Sequence, residues 1–257
     1  MFSRYSDRMK ARSAALLLTI DGRLHRILQA WLLVAGLAAA LRIGLTTPVG
    51  PVAELSTAGS YLLLVFAPVA STLLALRWFR DGHSLPQPGT RLARVGRWRA
   101  VPRAEAERHS LYGASGIMVS LLVGMMLNVP VRALEYLAAM PPVPQAAPAW
   151  FSTLHFAMTF DVVLFGSLYM IAFVAALRRV PLFPRLLLAI WVCDLAMQLA
   201  TAELVTATGS IPPAVAEALH ALLEGNVKKV LISMALWLPY LLLSTRVNVT
   251  YRHRLPA

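Results

Sequence analysis

The chain has 257 residues, 58% of them apolar and only 14% charged, with a mean hydropathy of +0.64 and a formal net charge of +12. That composition is far more apolar than that of an average soluble domain. The basic surplus does not describe a nucleic-acid binder either, because the Lys and Arg residues flank apolar stretches and do not line one folded surface.

Twenty of the 24 Lys and Arg residues fall in four segments, 4–26, 77–108, 178–185 and 246–254. Between these segments run six apolar stretches, each close to the ~20 residues that cross a bilayer as a helix. Lys and Arg are retained on the cytoplasmic side of membranes. The alternation therefore predicts an all-α, polytopic membrane protein with six transmembrane helices in a bundle and both termini cytoplasmic. Arg outnumbers Lys 21 to 3, a bias read as GC-rich bacterial coding, which places the expected location in a bacterial inner membrane.

Residues 1–26 are basic, and their one apolar run, 14–20, closes at Asp21 and is too short to span. They are read as a basic cytoplasmic or interfacial segment, for which an amphipathic helix on the inner leaflet is one form, with Arg4, Arg8 and Arg12 spaced four apart. A secretory signal is the alternative, since Arg23 and Arg26 precede an apolar run that reaches Ala38, Ala39 and Ala40. The apolar stretch continues to Leu45, which favours an uncleaved first helix over 27–45. The second helix covers 60–76 and completes a hairpin over 27–80. Residues 81–110 read as a cytoplasmic loop rich in Arg and Pro, with no core of its own. Within it Trp98, between Arg97 and Arg99, suits the membrane interface.

Residues 111–246 read as a four-helix membrane domain, followed by a cytoplasmic tail over 247–257. Its helices are expected over 111–137, 152–177, 185–204 and 228–243, with an outer loop at 140–145 that holds no Lys or Arg. Pro213 begins either a short outer helix over 214–223 or an early start of the last span. Arg42 and Arg132 near two outer ends, and Arg77/Arg80 and Arg178/Arg179 at two inner ends, form a weak echo. A parallel duplication of a helical hairpin produces such an echo, and so does the charge rule acting on any in-out-in hairpin.

The last span reads Leu236-Trp237-Leu238-Pro239-Tyr240-Leu241 and runs into Ser244-Thr245-Arg246-Val247-Asn248-Val249-Thr250-Tyr251. This ending resembles a bacterial inner-membrane family known as domain of unknown function 2569, in which a Trp-x-Pro-Tyr helix leads into a Ser-x-Arg-Val-x-x-Thr-aromatic tail. Asn128-Val129-Pro130-Val131-Arg132 and Phe183-Pro184-Arg185-Leu186 fit the same family at lower specificity. The resemblance covers about residues 110–252 and implies a membrane protein of unassigned biochemical role, with no catalytic residues to carry over.

Ionisable groups are costly in hydrocarbon, so each one inside a span is a candidate site. Asp194 is the deepest, and Gln198 and Thr201 continue it along one helix face that must point into the bundle. Two readings stay open: a proton or cation site, or an interhelical hydrogen-bond lock. Arg42, Glu54, Arg132, Glu135, Asp161, Glu203, Lys228 and Lys229, with His155, gather toward the outer side. They either pair with one another or form a vestibule for an anion. Arg132 and Glu135, three apart, are spaced so that a pair between them is one option. Arg42, Arg132, Glu135, Asp161, Asp194 and Gln198 are thus the candidate binding residues.

Gly116, Ser120 and Gly124, leading to Asn128 and Arg132, and Gly36, Ala40 and Gly44, are spaced four apart and are expected to be packing seams inside the bundle. Cys193 has no partner for a disulfide within the chain and is expected to be a buried small hydrophobe. Glu217, His220 and Glu224 read as a solvated face and not as a metal site, and the sequon at Asn248 is discounted on an inner-side segment.

The sequence carries no Gly-rich phosphate loop, nucleophile elbow or His-Glu-x-x-His pattern. The expected role is a non-enzymatic accessory or scaffold component without a cofactor. Its expected partners are the bilayer, anionic lipid headgroups at the basic loops, and another membrane protein or a second copy, with no nucleic acid. The alternatives are a small transporter or channel working through Asp194 and the outer charges, and a lipid-modifying enzyme using His155 and Asp161.

Overall fold

The computed structural model describes the backbone of residues 2–45, 51–89, 92, 96–141, 147–209 and 211–257, with side chains from residue 11 in the first helix and from 58 in the second. The side chains of Arg4, Arg8 and Glu54, and most of the outer loop at 140–145, lie outside the described residues. Among the described residues six helices are long and apolar enough to cross a membrane: α1 (Phe2–Gly44), α2 (Pro51–Trp78), α4 (Ile117–Ala139), α5 (Ala149–Leu177), α6 (Phe183–Thr206) and α7 (Pro213–Leu243). The protein is a multi-pass helical membrane protein. An even number of spans puts both ends of the chain on one side, the side that also carries Arg77, Arg178, Arg179 and Arg246. This side is the basic end of the bundle, and the other is the far end.

The apolar character of α5 on all faces decides the arrangement, because a helix hydrophobic all round is buried. Residues 172–176 of α5 are fully inaccessible on every side. Helices α2, α4 and α6 pack around α5, α1 lies across α2 and α4, and α7 rests on α6 at the edge. Pro68 in α2, Pro130 in α4 and Pro239 in α7 each remove a helical N–H. At Pro68 the ring faces Gly166 of α5, while Ser71 and Thr72 both donate to the Pro68 carbonyl.

The structure revises several expectations at the basic end. Residues 1–26 are not a separate interfacial element, since one helix runs unbroken from Phe2 to Gly44, about 64 Å at ~1.5 Å per residue. Leu17, Ile20 and Leu24 bury one stripe of it against the bundle, so this part of α1 is held by packing. At the far end the last span takes the earlier of its two expected starts, at Pro213.

The loop after α2 also departs from a coreless linker. It forms β1 (Trp98–Ala100) and α3 (Arg103–Arg108), and the C-terminal tail forms α8 (Thr245–Arg252) and β2 (Arg254–Pro256). Strands β1 and β2 pair antiparallel with Arg99 opposite Leu255. Val101, Ala106 and Val249 make a small core beneath them. A three-residue strand has no stability alone, so the loop folds only because the tail returns to it.

The residues that carry the family resemblance hold this cap in place. Arg246 Nη1 donates to the carbonyls of Leu111 (3.2 Å) and Gly113 (3.1 Å) and to Ser115 Oγ. The Thr250 hydroxyl accepts the Gly113 N–H, and the Tyr251 hydroxyl donates to the Ala176 carbonyl at the end of α5. Asn248 donates to the Leu242 and Ser244 carbonyls, which gives the discounted sequon a buried structural task. Gly116, at φ +65 before α4, turns the chain so that its N–H reaches Ser13 on α1.

The tight turn from α5 to α6 is closed by a Schellman arrangement. Val180 N–H bonds Ala175 O, Arg179 N–H bonds Ala176 O, and Arg179 takes the left-handed conformation at φ +56. Val180 is buried against the core as that motif requires.

The expected packing seams turn the other way. Ala40 and Gly44 of α1 and Ser120 and Gly124 of α4 are exposed, and nothing lies within 4 Å of the Cβ position of Gly36, Gly44 or Gly124. The buried stripes use larger side chains instead, such as Leu121, Leu122 and Met125 of α4. Cys193 is exposed too, because Asp194 next to it takes the inward position on α6.

Candidate functional site

The core is two apolar clusters separated by a polar belt. One cluster fills the basic half, with Val129, Phe165 and Trp191 among its members. The other fills the far half, with Ala133, Val162 and Val205. At the boundary stand Arg132 of α4, Asp161 of α5, Asp194 and Gln198 of α6, and Asn226 of α7. At ~1.5 Å per residue Arg132 lies about 22 Å from the start of α4, Asp161 about 18 Å from the start of α5, Asp194 about 16 Å from the start of α6 and Asn226 about 20 Å from the start of α7. Neighbouring helices run in opposite directions, so these positions meet near mid-depth.

Arg132 organises the belt. Its Nε donates to Asn128 Oδ1 one turn earlier (3.0 Å), its Nη1 to Asp161 Oδ2 (2.7 Å) and its Nη2 to Asp194 Oδ2. The guanidinium also lies 4.9 Å from the ring centre of Phe165 and 5.9 Å from that of Tyr169, where the aromatic quadrupoles stabilise a desolvated cation. The Tyr169 hydroxyl donates to Asp194 Oδ2 at 3.4 Å. Gln198 places its amide nitrogen between the carboxylates, 3.0 Å from Asp161 Oδ1 and 3.2 Å from Asp194 Oδ1. Its own carbonyl accepts from Asn226 Nδ2 at 3.3 Å.

Asp194 is fully inaccessible and Asp161 nearly so. Moving such charges out of water costs several kcal/mol per ion unless geometry and hydrogen bonds compensate (~20 kcal/mol in the idealised limit). Here each buried side-chain nitrogen and oxygen of the belt has a protein partner; among the described residues the only buried orphans are Arg42 Nε and Arg252 Nη2. The formal charge is nevertheless unequal, with one guanidinium facing two carboxyl groups.

Four of the six candidate residues, Arg132, Asp161, Asp194 and Gln198, are therefore brought together. Thr201, one turn beyond, is buried on the same face of α6. The pair of Arg132 with Glu135 that the spacing allows is not formed, because the two carboxylates across the bundle claim all of the guanidinium that faces them. Glu135 pairs with Lys229 of α7 instead, and Lys229 stands 3.5 Å from Asn226 Oδ1 at the margin of the belt. Arg42 stays apart beside Tyr61.

Among the described residues the outer cations do not converge on a single vestibule either. Lys228 is taken up by Glu224 at 2.6 Å and Lys229 by Glu135. The acid/base pair imagined for a lipid-modifying enzyme also separates. His155 lies 3.4 Å from the Tyr136 hydroxyl, while Asp161 is held by Arg132 and Gln198. Six residues apart on one helix, the two side chains point in different directions.

Sequence reasoning missed Asn226 and Tyr169. Asn226 lies before Lys228, where the last span was expected to begin, and a mid-helix amide was the one signal available. A cavity of about 640 Å³ between the far halves of α6 and α7 is lined by Leu199, Leu219 and Leu223, with Gln198 as its innermost residue on α6.

The fold and its belt define a class: a multi-pass helical membrane bundle with a hydrogen-bonded ion cluster at its centre. In comparisons with protein families, curated proteins and solved structures, no family model, no protein and no structure matches the chain. The resemblance of its tail to domain of unknown function 2569 rests on the quoted residues alone.

Proposed function

We propose that the chain is a non-enzymatic component of a bacterial inner membrane, with its basic end in the cytoplasm, that works by packing against another membrane protein or a second copy of itself. The observation that carries this reading is the outward direction of the small-residue stripes. Ala40 and Gly44 on α1, and Ser120 and Gly124 on α4, contribute little to the bundle's own packing. Small residues four apart allow close backbone approach by a further helix. The ion belt supports the same role by holding α4, α5, α6 and α7 in one register, so that the stripes are presented on a rigid body. Anionic headgroups at the basic end are the natural lipid partners.

The test is substitution on the stripes. Gly124→Leu and Gly44→Leu are expected to leave expression and melting unchanged while abolishing a cross-linked or co-purified assembly. If the wild-type protein is monomeric in nanodiscs and carries no partner from its native membrane, the packing role is wrong.

A second reading, as a small transporter or channel, is favoured by the unequal charge of the belt and by the cavity that ends on Gln198. In that reading the cluster reaches neutrality by holding a proton or a monovalent cation that enters from the far side. Its signature is a proton or cation flux in liposomes that Asp194→Asn removes without loss of protein.

A further inference from the structure

The far halves of α6 and α7 do not close on each other. Between them lies the cavity of about 640 Å³ whose innermost residue on α6 is Gln198. Leu199 and Ala202 of α6 and Leu219, Leu223 and Val227 of α7 make its wall. Leu199 is 66% exposed, so the cavity opens sideways, toward the surface that a bilayer covers. Its size falls within the ~300–1,000 Å³ of pockets for small organic molecules. The apolar wall offers nothing to replace the water shell of an inorganic ion. An occupant therefore brings an apolar body and arrives from the membrane.

Charge narrows the choice further. Gln198 Nε2 lies 3.0 Å from Asp161 Oδ1 and 3.2 Å from Asp194 Oδ1, so one amide separates the inner end of the cavity from two carboxyl groups. Among the described residues the cation that pairs with them is Arg132. Lys229, at the margin of the belt, is committed to Glu135. At the mouth of the cavity Glu224 and Lys228 neutralise each other at 2.6 Å, beside His220. One negative charge thus remains uncompensated behind Gln198. In an interior of low dielectric that charge acts well beyond contact distance. It favours a cation in the cavity and repels an anion of the same shape.

We propose that this cavity is a binding site for a lipophilic organic cation. The apolar body of the ligand lies against Leu219, Leu223 and Val227, and its charge is turned toward Gln198 and the two carboxyl groups behind it. The site deepens the transporter reading and rests on the same charge count: the monovalent cation that brings the belt to neutrality is an organic one, taken from the membrane.

The test uses the full chain, purified in detergent, with tetraphenylphosphonium and tetraphenylborate as probes. The two ions share a shape and differ in the sign of their charge. Binding is measured by titration calorimetry, with partition into empty micelles subtracted, and the melting midpoint is followed in parallel. Two variants accompany the wild type. Ala216→Trp fills the cavity from an exposed position on α7, where a larger side chain displaces nothing in the core. Asp161→Asn leaves Arg132 with one carboxylate and removes the surplus charge.

The wild type is expected to bind tetraphenylphosphonium saturably and to prefer it over tetraphenylborate by roughly tenfold or more, as one unit charge acting through a protein interior supplies. Ala216→Trp should abolish this binding, and Asp161→Asn should bring the two probes level. The charge preference is read in the wild type itself, so a loss of fold in Asp161→Asn leaves the test standing. Equal binding of both ions, saturable binding of neither, or binding that Ala216→Trp leaves unchanged overturns the site. Tetraphenylphosphonium binding without ion flux in liposomes keeps the site and counts against transport. Proton flux without tetraphenylphosphonium binding keeps transport and removes the site.

Discussion

Arg132 on α4 and Asp194 on α6, 62 positions apart in the chain, are joined by a direct ion pair at mid-depth in the bundle. Asp161 shares the same guanidinium through its other terminal nitrogen. The three charges are not equivalent. Removing Arg132 leaves two buried carboxyl groups with no cation, whereas removing one carboxylate leaves a one-to-one pair.

Arg132→Gln is therefore expected to be strongly destabilising, by about 3–5 kcal/mol, as when one partner of a buried pair is lost. Asp194→Asn keeps the shape of the belt but turns one acceptor oxygen into a donor nitrogen, so either the Gln198 amide or the Arg132 and Tyr169 donors lose their acceptor; it should cost about 1–3 kcal/mol, less than the loss of Arg132. Adding Asp161→Asn and Asp194→Asn to Arg132→Gln should recover much of the loss. Membrane accumulation and the melting midpoint in detergent measure all three. Equal damage from Arg132→Gln and Asp194→Asn would show that shape and not charge balance governs the belt.

The direction of the α6 stripe was legible in the sequence, because Asp194, Gln198 and Thr201 at helical spacing have only the bundle interior to face. The six spans were legible for the same reason, since hydropathy and basic flanks act one helix at a time. What Arg132 pairs with was not legible. Glu135 is its neighbour along the helix, and only the packing of α5 and α6 brings in the two stronger competitors. Small-residue spacing signals that a close approach is permitted, not which side of the helix the fold uses. The stripes at Gly36 and Gly124, expected to face inward, lie open. The cap was hidden for a different reason: β1 and β2 are three residues each, and neither has a signal until its partner arrives from the other end of the chain.

Arg246 carries the docking of that cap. Its Nη1 serves the Leu111 and Gly113 carbonyls and Ser115 Oγ on the segment leading into α4. Arg246→Ala is expected to lose about 1.5–3 kcal/mol, the range for hydrogen bonds to a charged group. Arg246→Lys should restore only part, because an ammonium does not reproduce the guanidinium fork. Limited proteolysis between α3 and α4 is the readout, with cleavage expected in the alanine variant and not in the wild type. Resistance in both would mean that Tyr251 and Thr250 suffice to hold the tail.

Gly82 lies buried after α2, pressed against the turn between α5 and α6. A Cβ there would stand 2.6 Å from Val180 Cγ2 and 3.1 Å from the Arg178 carbonyl oxygen. Val180 is itself locked by the Schellman bonds and cannot move away cheaply. Gly82→Ala is expected to destabilise by about 1–3 kcal/mol, as overpacking does, and Gly82→Ala with Val180→Ala should recover part of that. A melting midpoint unchanged in the single variant would show that the turn yields.

His253 should make the cap sensitive to acid. Burial, and then the charge of Arg103, hold its imidazole below the ordinary value of 6.5, with Glu107 opposing weakly. Gln87 Nε2 lies 3.4 Å from His253 Nδ1, and Arg252 and Arg254 flank it in the chain, so a further positive charge is unwelcome. The sign follows from linkage. Above about pH 6.5 the ring is neutral in folded and unfolded chains alike, and stability is fully present. As the pH falls through that value the unfolded chain takes up the proton first, and stability is lost until the folded value is passed. Amide exchange at Val101, whose N–H bonds the His253 carbonyl at 3.0 Å, should therefore accelerate between about pH 7 and about pH 5 beyond the intrinsic trend. His253 sits at φ +48, a left-handed position that Asn tolerates. His253→Asn should keep the cap folded while flattening the pH dependence, and a dependence that persists in this variant would assign the effect to another group.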